Sequence, residues 1–278
     1  MIKKNKAVNK TSKIIKINKN HENKKVAQKT KLNLIGKNNT NMPKKYIPGK
    51  KMVIIWSEFN TMPFSNKRFS ESWIENRINV FMKFTLNSLK SQTNQNYLAL
   101  IKYEDKSKDI ITKILSKYPK LPNNVTFIAK SKYEKKVIEK AKGFDYLYLV
   151  RLDSDDMYHK SFIQQLFDYK HHISTEAIIN QNGYIYDSIK KQIAKFPQIS
   201  PNYYTLIYKV DDYISGKRYK IPGGHPNVIK LLNHEILKKP NYIRLVHSTN
   251  DSSTFRLANR KYIISDKNRM NKILNDFM

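Results

Sequence analysis

The 278-residue sequence contains no cysteine, so disulfides, thiolate nucleophiles and thiolate metal ligands are all excluded. That fits a reducing cytoplasm. Acidic residues are sparse, with 22 Asp and Glu against 53 Lys and Arg and a formal net charge of +31. A two-metal nuclease or phosphotransferase ordinarily holds its ions with carboxylates drawn from several parts of the chain, so this scarcity weighs against that class. The basic excess instead favours anionic substrates or surfaces through long-range attraction. Long apolar runs are also missing: nothing approaches the roughly 20 residues of a membrane span, and Ile14–Ile17 is too short for a signal-peptide core. The expected location is cytoplasmic. No helix-turn-helix, zinc-binding or RNP-type motif accompanies the charge and the tyrosines, so no specific nucleic-acid partner is expected. There is no internal repeat.

Aromatic residues are nearly absent before Tyr46, and residues 1–51 carry 16 lysines against one glutamate, Glu22. Such a segment buries too little apolar surface to offset its ordering entropy and reads as a disordered basic tail. Its charge suits the anionic inner face of a membrane, although charge runs are commonly no more than solvating. Residues 52–266 read as one α/β domain, followed by a basic C-terminal tail over 267–278.

Short apolar runs alternate with helical patterns through the first half of this domain. Strands are expected at Met52–Trp56, Tyr97–Ile101, Val125–Ile128 and Phe144–Val150, with helices at Glu75–Leu89, Lys108–Tyr118 and Tyr133–Lys142 between them. That order argues for a mostly parallel, doubly wound sheet. The second half is mixed. Thr175–Asn180 and Gly183–Asp187 read as a hairpin across Gln181-Asn182-Gly183, Tyr203–Val210 is β-prone, and Asn227–Leu237 reads as helical. These supply antiparallel additions to the sheet.

The chain is organised around Arg151-Leu152-Asp153-Ser154-Asp155-Asp156, which ends the buried strand at Val150. Carboxylates crowded within four residues repel one another, and each is costly to keep ionised near a core without a cation. Hard oxygen ligands suit Mg²⁺ or Mn²⁺, and ligands of open α/β sheets bind beyond the carboxyl ends of the strands. The alternative is a polar turn that caps the helix beginning near Ser161.

An Arg-Leu-Asp-Ser-Asp-Asp run after an aromatic strand resembles the DxD element of GT-A nucleotide-sugar glycosyltransferases, and more narrowly the bacterial "putative rhamnosyltransferase" family. Arg77, Phe81, Phe84-Thr85-Leu86, Ser88-Leu89 and Gln92 form a second matching block, and Val246–Asn250 a third. Asn87 stands where the family pattern has proline. The resemblance runs from about Met52 to Asp266. It implies a GT-A-like fold and transfer of a sugar from a nucleotide-diphosphate donor to a hydroxyl acceptor, a glycan of the bacterial surface or wall. It further implies a Mn²⁺ or Mg²⁺ site at Asp153, Asp155, Asp156 and His247, with Arg77, Asp105, Arg151 and Asp153 on the nucleotide.

An inverting transfer needs a base for the acceptor hydroxyl, and Asp187, Asp211 and Asp212 are the carboxylate candidates. Arg68 and Trp73, after the first strand, could meet phosphate or base, or simply pack. Ile221–Pro226 joins adjacent glycines to His225, which could serve as a base or an acceptor contact, or merely complete a tight loop.

Overall fold

The computed structural model describes residues 46, 48–62, 66–248, 250 and 254–278. The expected basic tail therefore lies outside the described residues up to position 45, and Lys51 already belongs to the first strand. Strands β1 (Lys51–Glu58), β2 (Leu98–Tyr103), β3 (Val125–Ala129) and β4 (Tyr146–Arg151) come first. Between them lie helices α1 (Glu71–Val80), α2 (Leu86–Lys90), α3 (Lys108–Leu115) and α4 (Lys130–Ala141). A π-helical turn over Phe81–Thr85 joins α1 to α2. After the acidic run come β5 (Met157–Tyr158), α5 (Phe162–Asp168), β6 (Ala177–Asn180), β7 (Gly183–Asp187), β8 (Gln192–Lys195) and β9 (Tyr204–Lys209). The chain ends through α6 (Val210–Ile214), α7 (Val228–Leu231), β10 (His234–Leu237), β11 (Tyr242–Val246), β12 (Ile263–Ile264) and α8 (Lys267–Asn275).

The larger sheet has seven strands in the order β10-β6-β9-β4-β1-β2-β3. Strands β4, β1, β2 and β3 are parallel, and β9 is antiparallel to both β4 and β6. The expected fold class, a mostly parallel sheet with antiparallel additions from the second half, is the one observed. β1 is buried on both faces, which is why it reads as an unbroken apolar run. Val53 and Ile55 pack with Ile74, Ile78 and Phe81 on one side, while Ile54 packs with Val137 and Ala141 on the other.

A second sheet, β12-β8-β7-β11-β5, overturns the expected hairpin. β6 joins the large sheet and β7 the small one, so the Asn182-Gly183 turn carries the chain between sheets. The crossing is fixed by Asn180, whose side chain donates to Tyr203 O (3.2 Å) and accepts from Asn241 Nδ2 (3.0 Å). At Gly183, a Cβ would lie 2.5 Å from the Tyr242 ring, so β7 and β11 close up only on glycine. The expected helix over 227–237 is likewise divided, because His234–Leu237 pairs with β6 as a strand.

The 267–278 segment does not behave as a tail. Asp266 accepts from Arg269 N (2.6 Å) as the N-cap of α8, and Phe277, 1% exposed, packs with Met157, Tyr186, Ile243 and Leu245. The lysines and arginine of α8 cover its outer face and hide this anchor from a charge-based reading. Among the described residues no helix is long and apolar enough to cross a membrane.

Candidate functional site

The parallel strands run β1, β2, β3 in one direction, and the chain then returns to place β4 on the other side of β1. Ligands of open α/β sheets bind at such a reversal, beyond the carboxyl ends of the strands. Here Glu58-Phe59-Asn60 leaves β1 beside Asp153-Ser154-Asp155-Asp156 leaving β4. Together they line a cleft of about 360 Å³.

Asp155 is the centre of this cleft. Its Oδ2 accepts from Arg77 Nη1 (2.9 Å) and Asn250 Nδ2 (3.3 Å) and lies 3.0 Å from His247 Nε2. Burial alone would raise this carboxyl, but the Arg77 charge and the His247 contact outweigh it and hold Asp155 well below the usual carboxylate range. Arg77 reaches in from α1, donates to Ser154 Oγ through Nη2 (3.1 Å), and lies over the Trp73 ring. The three blocks that carried the family resemblance therefore meet at one carboxylate.

Asp156, the next residue, differs. Its Oδ2 accepts from Tyr203 OH (2.7 Å) and its Oδ1 from Leu245 N (2.8 Å). Burial, then the charges of Asp155 and Asp153, push its pKa well above the ordinary value. Both oxygens are engaged in joining the two sheets, a structural role for a residue that the resemblance places on the metal. Asp153 lies nearer the opening, bonded to Asn202 Nδ2 (2.6 Å) and beside Arg151 Nη2 (3.4 Å).

The donor set can be tested against a divalent cation. Among the described residues no three carboxylate or imidazole groups form a metal-holding cluster, but Asp155 and His247 face one another as an oxygen and a nitrogen donor. One or two carboxylates, completed by water and substrate phosphate, is the usual complement for Mg²⁺; Asp155 supplies one, and His247 adds a nitrogen donor beside it. The cleft also holds buried N–H groups that suit an anion. Among the described residues, Arg68 Nε and Nη1 and Arg151 Nε have no hydrogen-bond partner, and a buried donor left unmade costs about 1–3 kcal/mol. Phosphate oxygens would satisfy them.

Other expected residues are placed elsewhere. Asp105, fully exposed, accepts from Ser131 N (3.1 Å) and Ser131 Oγ; the Ser131 hydroxyl contact lowers its pKa, and the pair caps α4 rather than lining the cleft. Asp187 ends β7, and its Oδ1 accepts from Ile189 N (3.0 Å) and Lys190 N (2.9 Å) within a turn. Asp211 and Asp212 open α6 at the opposite end of the sheet, because β9 is antiparallel to β4 and Lys209 pairs with Tyr146, the first residue of β4. Asp212 there pairs with Lys217 (3.2 Å). None of the three carboxylates proposed as the base reaches the cleft.

Several cleft residues carried weaker signals. Arg244 stands alone among apolar residues in β11, a pattern that flags a charge kept for a purpose, and Asn202 gave no signal. Ser88 and Gln92, prominent in the resemblance, are structural. Ser88 Oγ donates to Tyr158 O (2.8 Å) and accepts from Tyr158 N (2.9 Å), and Gln92 Nε2 donates to His159 O (3.0 Å). They fix the segment that follows the acidic run.

Among solved structures, Staphylococcus aureus TarS residues 1–349 in complex with UDP-GlcNAc is similar at 13% identity and TM-score 0.43. The match covers 74% of this chain and 62% of that one, so this chain spans about three-fifths of the TarS fragment. The mannosyltransferase PcManGT of Pyrobaculum calidifontis, in complex with GDP-Man and Mn²⁺, matches at 8% identity and TM-score 0.39, over 76% of this chain and 61% of that one. A "putative nucleotide-diphospho-sugar transferase" from Desulfovibrio desulfuricans matches at 16% identity and TM-score 0.34, over 67% and 79%. No curated protein matches by sequence. The profile of the family described as "Putative rhamnosyl transferase" matches residues 64–259, which include Arg77, the acidic run and His247. The chain belongs to that family of glycosyltransferases.

Proposed function

We propose that this chain transfers a sugar from a nucleotide-diphosphate donor to a hydroxyl acceptor, a glycan of the bacterial surface or wall. The observation that carries the reading is Asp155 held between Arg77 and His247 at the strand-order reversal. Arg68, Arg77, Arg151 and Arg244 line the same cleft and would bind the diphosphate. Departure of that group concentrates negative charge on its oxygens, and fixed guanidinium donors stabilise it without reorganising. Asp155 and His247 would hold Mn²⁺ or Mg²⁺, which supplies Lewis-acid neutralisation of the leaving diphosphate. Phe59 and Trp73 offer apolar surface for the nucleoside. The lysine-rich segment 1–51 would bring the enzyme to an anionic membrane face, where lipid-linked or nascent acceptors reside.

Calorimetric titration of UDP, GDP, dTDP and CDP into the full-length chain, with Mn²⁺, with Mg²⁺ and with chelator, tests this proposal. Binding of one nucleotide, strengthened by a cation, is the expected result. Failure of all four under every condition would remove the transferase reading.

A further inference from the structure

With Asp187, Asp211 and Asp212 held away from the cleft, an inverting transfer needs another proton acceptor. The acids that do line it are committed: Glu58 to Lys102 (2.6 Å), Asp153 to Asn202, Asp155 to Arg77, and Asp156 to Tyr203 and Leu245 N. Of the two imidazoles of the site, His247 is held against Asp155 Oδ2 (3.0 Å), which leaves His225. His225 lines the cleft, and among the described residues its ring makes no hydrogen bond or ion pair.

Its backbone is held firmly. Ser200 Oγ donates to His225 O (2.7 Å), Asn227 Nδ2 to Pro222 O (2.8 Å), and Asn227 N to Gly224 O (3.0 Å). Gly223 and Gly224 have φ of 77° and 74°, and Gly224 combines its φ with ψ −160°, a region essentially reserved for glycine. A Cβ at Gly223 would meet Asn227 Nδ2 at 2.5 Å, whereas one at Gly224 would meet nothing within 4 Å. The loop is thus built tight at Gly223 and open at Gly224, and Gly224 and His225 both line the cleft.

We infer that His225 is the catalytic base of the transfer. This assignment rests on the transferase reading above. The acceptor O–H proton passes to the neutral imidazole as the acceptor oxygen bonds to the anomeric carbon. The bond from that carbon to the diphosphate oxygen breaks, and its electron pair leaves with the nucleoside diphosphate. The imidazolium then returns its proton to water. Burial, then the Arg151 charge, lower the His225 pKa; Asp153 opposes them and Arg244 adds to them. The shift favours the neutral form, the one that accepts a proton.

The test uses the full-length chain and a panel of UDP-, GDP-, dTDP- and CDP-linked hexoses, with water as acceptor and nucleoside diphosphate release as the readout. Wild-type release should fall on the acid side as His225 protonates. His225→Ala and His225→Gln should lower kcat about 100-fold or more, leave donor KM and nucleoside diphosphate affinity unchanged, and lose that acid limb. Added imidazole should partly restore His225→Ala, an effect that a purely structural role would not produce. Variants that keep wild-type kcat and its acid limb, or that change only donor KM, would overturn the assignment. Absence of nucleotide binding by the wild type would instead overturn the transferase reading, and the base with it.

Discussion

The two ends of the seven-stranded sheet carry charged residues of the same kinds and use them differently. At the carboxyl end of the parallel strands, Arg77, Asp155 and His247 converge from distant parts of the chain around one carboxylate oxygen. At the amino end, charges serve the backbone. Lys51 Nζ donates to Leu166 O (3.0 Å), Phe167 O (2.8 Å) and Tyr169 O (2.7 Å) and closes the C-terminus of α5. Asp211 and Asp212 open α6, where carboxylates favour the helix dipole. Strand direction, not the presence of acids after a strand, decides which group enters the site.

The largest effect separating the two ends should come from catalysis. Asp155→Asn should reduce turnover at least about 100-fold, whereas Asp212→Asn should leave it within about twofold. Steady-state nucleoside diphosphate release measures both. Loss of activity in Asp212→Asn would place the chemistry at the wrong end.

Removing the cation beside Asp155 should also be felt in stability. Arg77→Met leaves a buried carboxylate without its partner and should cost about 3 kcal/mol in urea denaturation. Because the folded-state pKa of Asp155 is depressed, its contribution is complete above the unfolded value and is lost as pH falls through that value toward the folded one. The variant should show a flatter acid limb of stability than the wild type. An unchanged midpoint at neutral pH would mean that the Arg77–Asp155 pair is not formed in solution.

A comparable loss is expected far from the cleft. Phe277→Ala empties a site filled by a fully buried ring and should cost about 3–5 kcal/mol, while nucleotide affinity stays the same at temperatures where the variant is folded. A midpoint within experimental error of the wild type would show α8 to be undocked.

The smallest effect separates two neighbours. Asp156→Asn keeps the shape, and its amide can accept from Leu245 N and donate to Tyr203. Stability should change by less than about 1 kcal/mol, because exchanging one satisfied buried polar group for another is nearly neutral. Since the folded pKa of Asp156 is raised, its protonated form supports the fold below the unfolded pKa, and that support is lost as pH rises through the folded value. The amide should remove this alkaline decline, visible as flatter stability against pH. A loss of nucleotide affinity equal to that of Asp155→Asn would restore Asp156 to the binding machinery.

The parallel half of the fold was legible because buried strands and amphipathic helices leave distinct periods, and the acidic run was legible because it interrupts an apolar strand. The rest depended on partners remote in sequence. Asp155 and Asp156 are chemically identical as text, and only Arg77 on one side and Tyr203 with Leu245 on the other divide their roles. An Asn-Gly turn has the same composition whether it closes a hairpin or passes the chain between sheets, and Tyr242 settles which. Nothing in the sequence marks the direction of antiparallel β9, which carries the candidate bases Asp211 and Asp212 to the far end of the sheet. His225 was readable as a candidate through its glycine pair, but the commitments of the competing acids became visible only in the fold.

The central claim is that the cleft between β1 and β4 is where the nucleotide binds. Titrating the nucleoside diphosphate selected from the four above, with Mn²⁺, into wild-type, Asp155→Asn and Asp212→Asn proteins tests it most directly. The account predicts wild-type affinity for Asp212→Asn and loss of the Mn²⁺-dependent part of binding for Asp155→Asn. Equal Mn²⁺-dependent affinity in all three proteins would contradict it.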